Sequence, residues 1–324
     1  NNNNNNNRVF FHRQVSLLCA VCRDSVYNHD KSNAHSTTGN TINAADVHTT
    51  FWGQSRSDQE IQDFCYQAVF NEFPSPSTCT SPPSMANANE AVIVLNSEPP
   101  LVIIHNFLSH DQCDALIQAA IHQKMGRSTI GAEQETTDIR TSSTAWLRDD
   151  EEVSINNSFD TSNKREALRS FAHRASRLSG LPPENMEDVQ IVHYTETQKF
   201  DIHTDHLDSF NDLEVRGRLA TCLVYLNDSY KDDASVEEHH KQQQCHGGET
   251  YFPEFEVSVK PIKGSALFFW NTLERPGMEK YHPNMFLNVD MRLRHAGLPV
   301  TGGVKWACNR WMHPISYGAG VRGF

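Results

Sequence analysis

Val189 to Asp205 reads VQIVHYTETQKFDIHTD. Its first six residues, Val189–Tyr194, are rich in β-branched and aromatic side chains, the composition of a strand. His203 and Asp205 stand two apart, and on extended chain residues at i and i+2 point to the same face. From this stretch onward the texture is of strands and turns. The further candidate strands are Leu219–Leu226, Glu249–Phe252, Phe255–Val259, Ala266–Trp270, Met291–His295 and Val304–Trp311. Many short strands following two helices predict an α+β fold. Its core is a β-sandwich or jelly roll with the N-terminal helices packed on one face.

The two helices are marked ahead of the strands. Ser109-x-x-Gln112 is a capping box. Cys113, Leu116, Ile117, Ala120 and Ile121 follow at helical spacing, and Gly126 supplies the stop. A second helix runs from Lys164 to Leu178, with Leu168, Phe171, Ala172 and Ala175 as its apolar stripe and Gly180 and Pro182 at its end. Both helices are scaffold. Leu101–Ile104 reads as a strand by its β-branched run. Pro74 to Pro100, rich in Pro, Ser, Thr and Asn, reads as a linker.

Composition sets the outer limits. Apolar residues make up 38% of 324, below the usual globular share. The deficit sits in residues 1–90, where Asn, Ser, Thr, Asp and His dominate. Such a segment cannot bury enough apolar surface to offset its chain entropy, so it is expected to be low-complexity and disordered. Residues 91–324 are then one domain, with the strand core at about 187–314. The net charge is −12 and no Lys/Arg cluster occurs, which argues against nucleic-acid binding. No apolar stretch is long enough to span a bilayer. Val15 to Cys22 (VSLLCAVC), after Arg8 and Arg13, reads as the core of a secretory signal, the remnant of an N-terminal anchor, or an apolar patch in a loose tail. No Met precedes Met85, so an earlier start is expected.

Of the eight cysteines, Cys19 and Cys22 lack a second pair at zinc-finger spacing. Cys65 and Cys79 could pair in an oxidising compartment, and Cys222 and Cys308 read as buried thiols. Asp228 to His246 is polar and His-rich, with Glu237 to His240 and Gln242 to Gln244. It reads as a solvated loop insertion rather than a metal tract.

His203 and Asp205 can chelate one metal, but so can His206 and Asp208. A chain with 17 His and 40 acidic residues holds roughly two such pairs by chance. A third ligand must come from another strand. His295, at the end of Met291–His295, is suitably placed, although a hydrogen-bonded structural His would look the same. Two imidazoles and one carboxylate with open positions form the facial triad of non-haem Fe(II) sites. Lys305 lies on an alternating strand. It either faces solvent or enters the barrel, where its charge requires an anion. Gly247-Gly248 reads as a turn entering a short strand that carries Thr250, a hydroxyl donor or simply a β-former.

From Leu101 to Pro314 the chain resembles the catalytic domain of the 2-oxoglutarate- and Fe(II)-dependent prolyl 4-hydroxylases. The matching pieces occur in order: FLSHDQCD (107–114), DIRTSS (138–143), QIVHY (190–194), His203-Thr-Asp205, LATCLVYLND (219–228), GGETYFP (247–253), VKPIKGSALFFW (259–270), HAGLPV (295–300), Lys305-Trp and Arg310-Trp-Met-His. That order selects His203/Asp205 over His206/Asp208 and sharpens the fold to a double-stranded β-helix. The resemblance implies His203, Asp205 and His295 as metal ligands and Lys305 as the anchor of the 2-oxoglutarate tail. Tyr194, Thr250 and Trp311 would line the co-substrate pocket, and Arg140 and Ser142 would contact peptide. It implies Fe(II), 2-oxoglutarate and ascorbate as cofactors and a proline-rich peptide or protein as substrate. The implied reaction converts peptidyl proline to 4-hydroxyproline with release of succinate and CO2, in the endoplasmic reticulum. Departures are the long segment before Gly247, the long stretch between Trp270 and His295, and Leu298 where a Cys is common. They bear on the peptide groove, so a related oxygenase acting on another side chain, or a jelly-roll module that binds without turnover, stays an alternative.

Overall fold

Two antiparallel sheets facing one another build the strand-rich region. The computed structural model describes residues 51–70, 91–129, 136–148, 161–206, 217–229, 244–282 and 287–317. The apolar run at 15–22, Cys19, Cys22, Cys79, Asp208 and most of the 228–246 tract lie outside them. The strands are β1 (Val92–Ser97), β2 (Pro100–Ile104), β3 (Gly126–Arg127), β4 (Ser143–Leu147), β5 (Val189–Tyr194), β6 (Phe200–His203) and β7 (Ala220–Tyr225). They continue with β8 (Cys245–Gly247), β9 (Thr250–Phe252), β10 (Val257–Val259), β11 (Ala266–Trp270), β12 (His295–Gly297), β13 (Val300–Gly303) and β14 (Lys305–Met312). An eight-stranded sheet has the order β1-β2-β11-β7-β14-β5-β4-β3, and a four-stranded sheet the order β10-β9-β12-β6.

The chain passes repeatedly between these sheets. β5, β7, β11 and β14 lie in the large one, while β6, the β9–β10 hairpin and β12 lie in the small one. That exchange is the double-stranded β-helix, or jelly roll, expected from the sequence. Alternation along each strand gives the large sheet two apolar faces. Val192, Tyr194, Leu223, Tyr225, Leu267, Phe269 and Ala307 fill the space between the sheets with Phe252 and Val259. Ile191, Cys222, Val224 and Cys308 point the other way and are covered by helices.

Three helices are described: α1 (Asp58–Phe70), α2 (His110–His122) and α3 (Thr161–Ser179). Cys113 and Leu116 of α2 and Leu168, Phe171 and Ala175 of α3 supply the outer cover. α2 starts at the expected capping box, with Gln112 N donating to Ser109 Oγ at 3.1 Å and Ser109 N to Gln112 Oε1 at 3.0 Å. It stops before Gly126, because Lys124 adopts the left-handed conformation at φ 59°. Gly126 opens β3 instead. No helix among the described residues is long and apolar enough to cross a membrane.

Three expectations need correction. Residues 51–70 are not a disordered tail but part of the core. Trp52 is buried, its ring 5.5 Å from Phe268 and 6.1 Å from Trp270, and its indole donates to Leu178 O at 2.6 Å. Ile61, Phe64, Cys65 and Val69 of α1 join the same cluster, and Cys65 is a free, buried thiol. The domain therefore begins before residue 91. The linker expected at 74–100 ends early, since Val92–Ser97 pairs with Pro100–Ile104. Lastly, Met291–His295 is not one strand. Met291–Leu293 is a 3-10 turn capped by Asp290, whose carboxylate accepts from Arg292 N, and β12 starts at His295.

Candidate active site

β6 and β12 are antiparallel neighbours in the small sheet, and His203 and His295 are direct cross-strand partners. Their ring centroids lie 4.5 Å apart. Asp205, just beyond the end of β6, completes the group. Among the described residues, His203, Asp205 and His295 converge so that one ligand atom from each lies within 4.8 Å of the others. His203 Nε2 is 3.4 Å from Asp205 Oδ1, and His295 Nε2 is 3.8 Å from Asp205 Oδ2.

Both rings are aimed in the same way. His203 Nδ1 lies 2.7 Å from Asp201 O, and His295 Nδ1 lies 3.1 Å from Leu293 O. A carbonyl oxygen only accepts, so Nδ1 of each ring donates and Nε2 is the nitrogen turned toward the site, where a metal would take it. Phe200 stacks on His203 at 3.5 Å, and Phe252 and Phe269 flank His295. Burial pushes the His295 imidazole down to about 4, so it is neutral and ligand-competent at physiological pH. Burial alone would raise the Asp205 carboxyl, but in acid, where His295 takes up its proton, the positive charges of His295, His203 and Arg218 hold it well below the ordinary carboxylate range.

Lys305 opens β14 opposite Tyr194 of β5 and points between the sheets. It is 4% exposed. Its Nζ lies 5.5 Å from the Tyr194 ring centroid and 5.7 Å from that of Tyr225. No carboxylate among the described residues forms an ion pair with it, and burial pushes the ammonium down to about 8. Tyr225 Oη donates to Thr250 Oγ1 at 2.8 Å. Gly248, at φ 69°, lies against this wall; a Cβ there would come within 2.7 Å of Cys245 Sγ and 3.2 Å of Lys305 Cδ. Tyr225 was missed from sequence. Its signal was the alternation along Leu219–Leu226, which turns it to the same face as Thr221.

The remaining candidates divide. Trp311 is buried, with the Arg218 guanidinium 3.4 Å from its ring centroid and Trp146 at 6.1 Å. Arg140 is nearly buried, donating to Gln190 Oε1 at 2.8 Å with its guanidinium over Phe200 at 4.9 Å. Ser142 is fully buried, 2.7 Å from Ser128 Oγ and 3.4 Å from Arg140 Nε. It braces Arg140 and is not placed to meet a peptide.

Two imidazoles plus one carboxylate, converging as these do, are the donor set of a non-haem Fe(II) centre. A buried cation lacking a carboxylate partner suits the far end of a dicarboxylate. Residues 189–313 match the 2OG-Fe(II) oxygenase superfamily. Over 245 residues the chain is 31% identical to Prolyl 4-hydroxylase 5 of Arabidopsis thaliana, covering 70% of this chain and 72% of that one. The chain belongs to the prolyl 4-hydroxylase family of 2OG-Fe(II) oxygenases. Prolyl 4-hydroxylase 2 of Arabidopsis thaliana is 29% identical over 269 residues, 74% of this chain and 76% of that one. Among solved structures the family member is similar to the viral collagen prolyl hydroxylase of Paramecium bursaria Chlorella virus-1. That match has 26% identity and a TM-score of 0.43 over 66% of this chain and 96% of that chain. Family membership implies Fe(II) and 2-oxoglutarate, and the residues present fit both.

Beside the site, Glu187 supports Arg218. Arg218 Nε and an Nη donate to its two oxygens at 2.6 and 3.1 Å, and His313 Nε2 lies 2.8 Å from Oε1. Burial would raise this carboxyl, but Arg218 and His313 bring it down from 4.5 to about 2. A carboxyl depressed on folding stabilises fully above its unfolded value, and that stability is lost as pH falls through its folded value. Melting temperature should therefore drop between about pH 5 and pH 2, an effect of about 3 kcal/mol at most. Glu187→Gln should be less stable at neutral pH and flatten the acid limb. An unchanged limb in thermal melts would remove Glu187 from the account.

Proposed function

We propose that this protein hydroxylates peptidyl proline at C4, using O2 and 2-oxoglutarate and releasing succinate and CO2. The observation that carries the reading is the buried Lys305 ammonium, without a carboxylate partner among the described residues, in the same barrel as the His203–Asp205–His295 group. Kinship to chains named prolyl 4-hydroxylase supplies the substrate class.

His203 and His295 would present Nε2, and Asp205 its carboxylate, to Fe(II). When bound, the metal supplies the O2 activation that couples loss of CO2 from 2-oxoglutarate to hydroxylation of the peptide. Lys305 would neutralise the distal carboxylate of 2-oxoglutarate. Thr250 already accepts from Tyr225, so its own proton is available to that carboxylate. Tyr194 and Tyr225 wall the ammonium and help keep water from it. The substrate would be a proline-rich peptide, which presents a preformed polyproline II helix. Arg140 and Trp311 are buried against Phe200 and Arg218 and would act by holding the walls of the site. Ascorbate as reductant, the endoplasmic reticulum as compartment and an N-terminal anchor belong to the same reading and rest on kinship alone.

The test is direct. Purified protein with Fe(II), ascorbate and 2-oxoglutarate should release succinate several-fold faster when a proline-rich peptide is added. Mass spectrometry should find 4-hydroxyproline in that peptide. Succinate release that ignores every proline peptide but responds to another side chain would move the protein to a different oxygenase class.

A further inference from the structure

Behind the Asp205 carboxylate lies a chain of buried donors. Thr221, on β7, is fully buried, and its Oγ1 lies 2.8 Å from Asp205 Oδ2. Asn271, just past β11, is also buried and brings Nδ2 to 2.9 Å from the same hydroxyl. An amide N–H only donates, so it occupies an acceptor position of the hydroxyl. The threonine proton then has two acceptors, Asp205 Oδ2 at 2.8 Å or Asn271 Oδ1 at 3.3 Å. The shorter contact and the ionised partner both favour Asp205. Asn271 is itself fixed by its backbone, donating to Leu219 O at 2.8 Å and accepting from Asp290 N at 2.9 Å. The result is a one-way relay from Asn271 through Thr221 to Asp205.

We propose that Thr221, set by Asn271, is a positioning residue that occupies Oδ2 of Asp205, so that a metal receives one carboxylate oxygen rather than two. A carboxylate free to turn can chelate through both oxygens. Each extra position it takes is lost to 2-oxoglutarate, which needs two. The hydroxyl thereby keeps the coordination sphere open while also holding the ligand's rotamer. This inference rests on the metal-site reading above.

Co(II) serves as a redox-inert probe, titrated into the purified full chain and followed by visible absorption. 2-Oxoglutarate is then titrated into the Co(II) form. Thr221→Val keeps the shape and removes the hydroxyl. It should weaken Co(II) binding by about ten-fold and also weaken 2-oxoglutarate binding to the loaded protein by about ten-fold. Thr221→Ser restores the hydroxyl and should stay within about three-fold of the parent on both. A purely structural threonine would show the reverse order, with Val tolerated and Ser, which leaves a void, the poorer. Parental binding by Thr221→Val overturns the proposal. Should that variant fail to fold, Thr221→Ala takes its place with the same two expectations and the same overturning result. If the parent itself takes up no Co(II), the metal site is misread, which is a separate failure visible before any variant is made.

Discussion

Lys305→Ala is expected to raise the 2-oxoglutarate requirement by about 100-fold or more while leaving iron content nearly intact. Removing one partner of a buried charged pair costs about 3–5 kcal/mol, since the other charge is left uncompensated, and 1.4 kcal/mol is about ten-fold in affinity. Lys305 ligates nothing, and the His203, Asp205 and His295 donors are oriented by Asp201 O, Leu293 O and Thr221 without it. The variant also loses a buried cation that is costly when unpaired, so its unliganded form should melt no earlier than the parent. The measurements are the apparent KM for 2-oxoglutarate and metal per chain. Equal loss of both would make Lys305 a structural residue.

Asp205→Asn is expected to abolish the activity by another route. It keeps the side-chain shape but removes the only anionic donor of the group, so retained Fe(II) should fall by about 100-fold or more, a larger loss than the outer partners of such ligands produce. Folding should survive, because the substitution removes a buried charge rather than packing. Elemental analysis after gel filtration, with circular dichroism as the control, reads both. Iron bound at the parental level would place the metal elsewhere.

What the sequence disclosed depended on the range over which each signal acts. The capping box at Ser109–Gln112 and the strands Val189–Tyr194 and Ala266–Trp270 are local, and the structure places them where expected. Lys305 was ambiguous alone because inward and outward faces of an alternating strand look alike. Its pairing with Tyr194 resolves the face. Helix α1 carried a local signal too. Ser57 and Glu60 form a capping box, with Ser57 N donating to Glu60 Oε2 at 2.9 Å and Glu60 N to Ser57 Oγ at 3.3 Å. Ile61, Phe64, Cys65, Ala68 and Val69 follow at helical spacing. A window average over the polar residues around it concealed the stripe, whose Phe64 packs on Phe51 and Trp52. Met291–His295 failed for the opposite reason. Its residues suit a strand, but Asp290 caps a turn first. Tyr225 and Thr221 are long-range partners, and nothing in their own neighbourhood names Thr250 or Asp205.

His203 and His295 sit directly across from each other on paired strands. Moving that pairing by one residue would turn one imidazole to the opposite face of the sheet. Strand register and metal site are therefore one and the same property: a chain zipped out of step at these strands would lack one of its two imidazole donors.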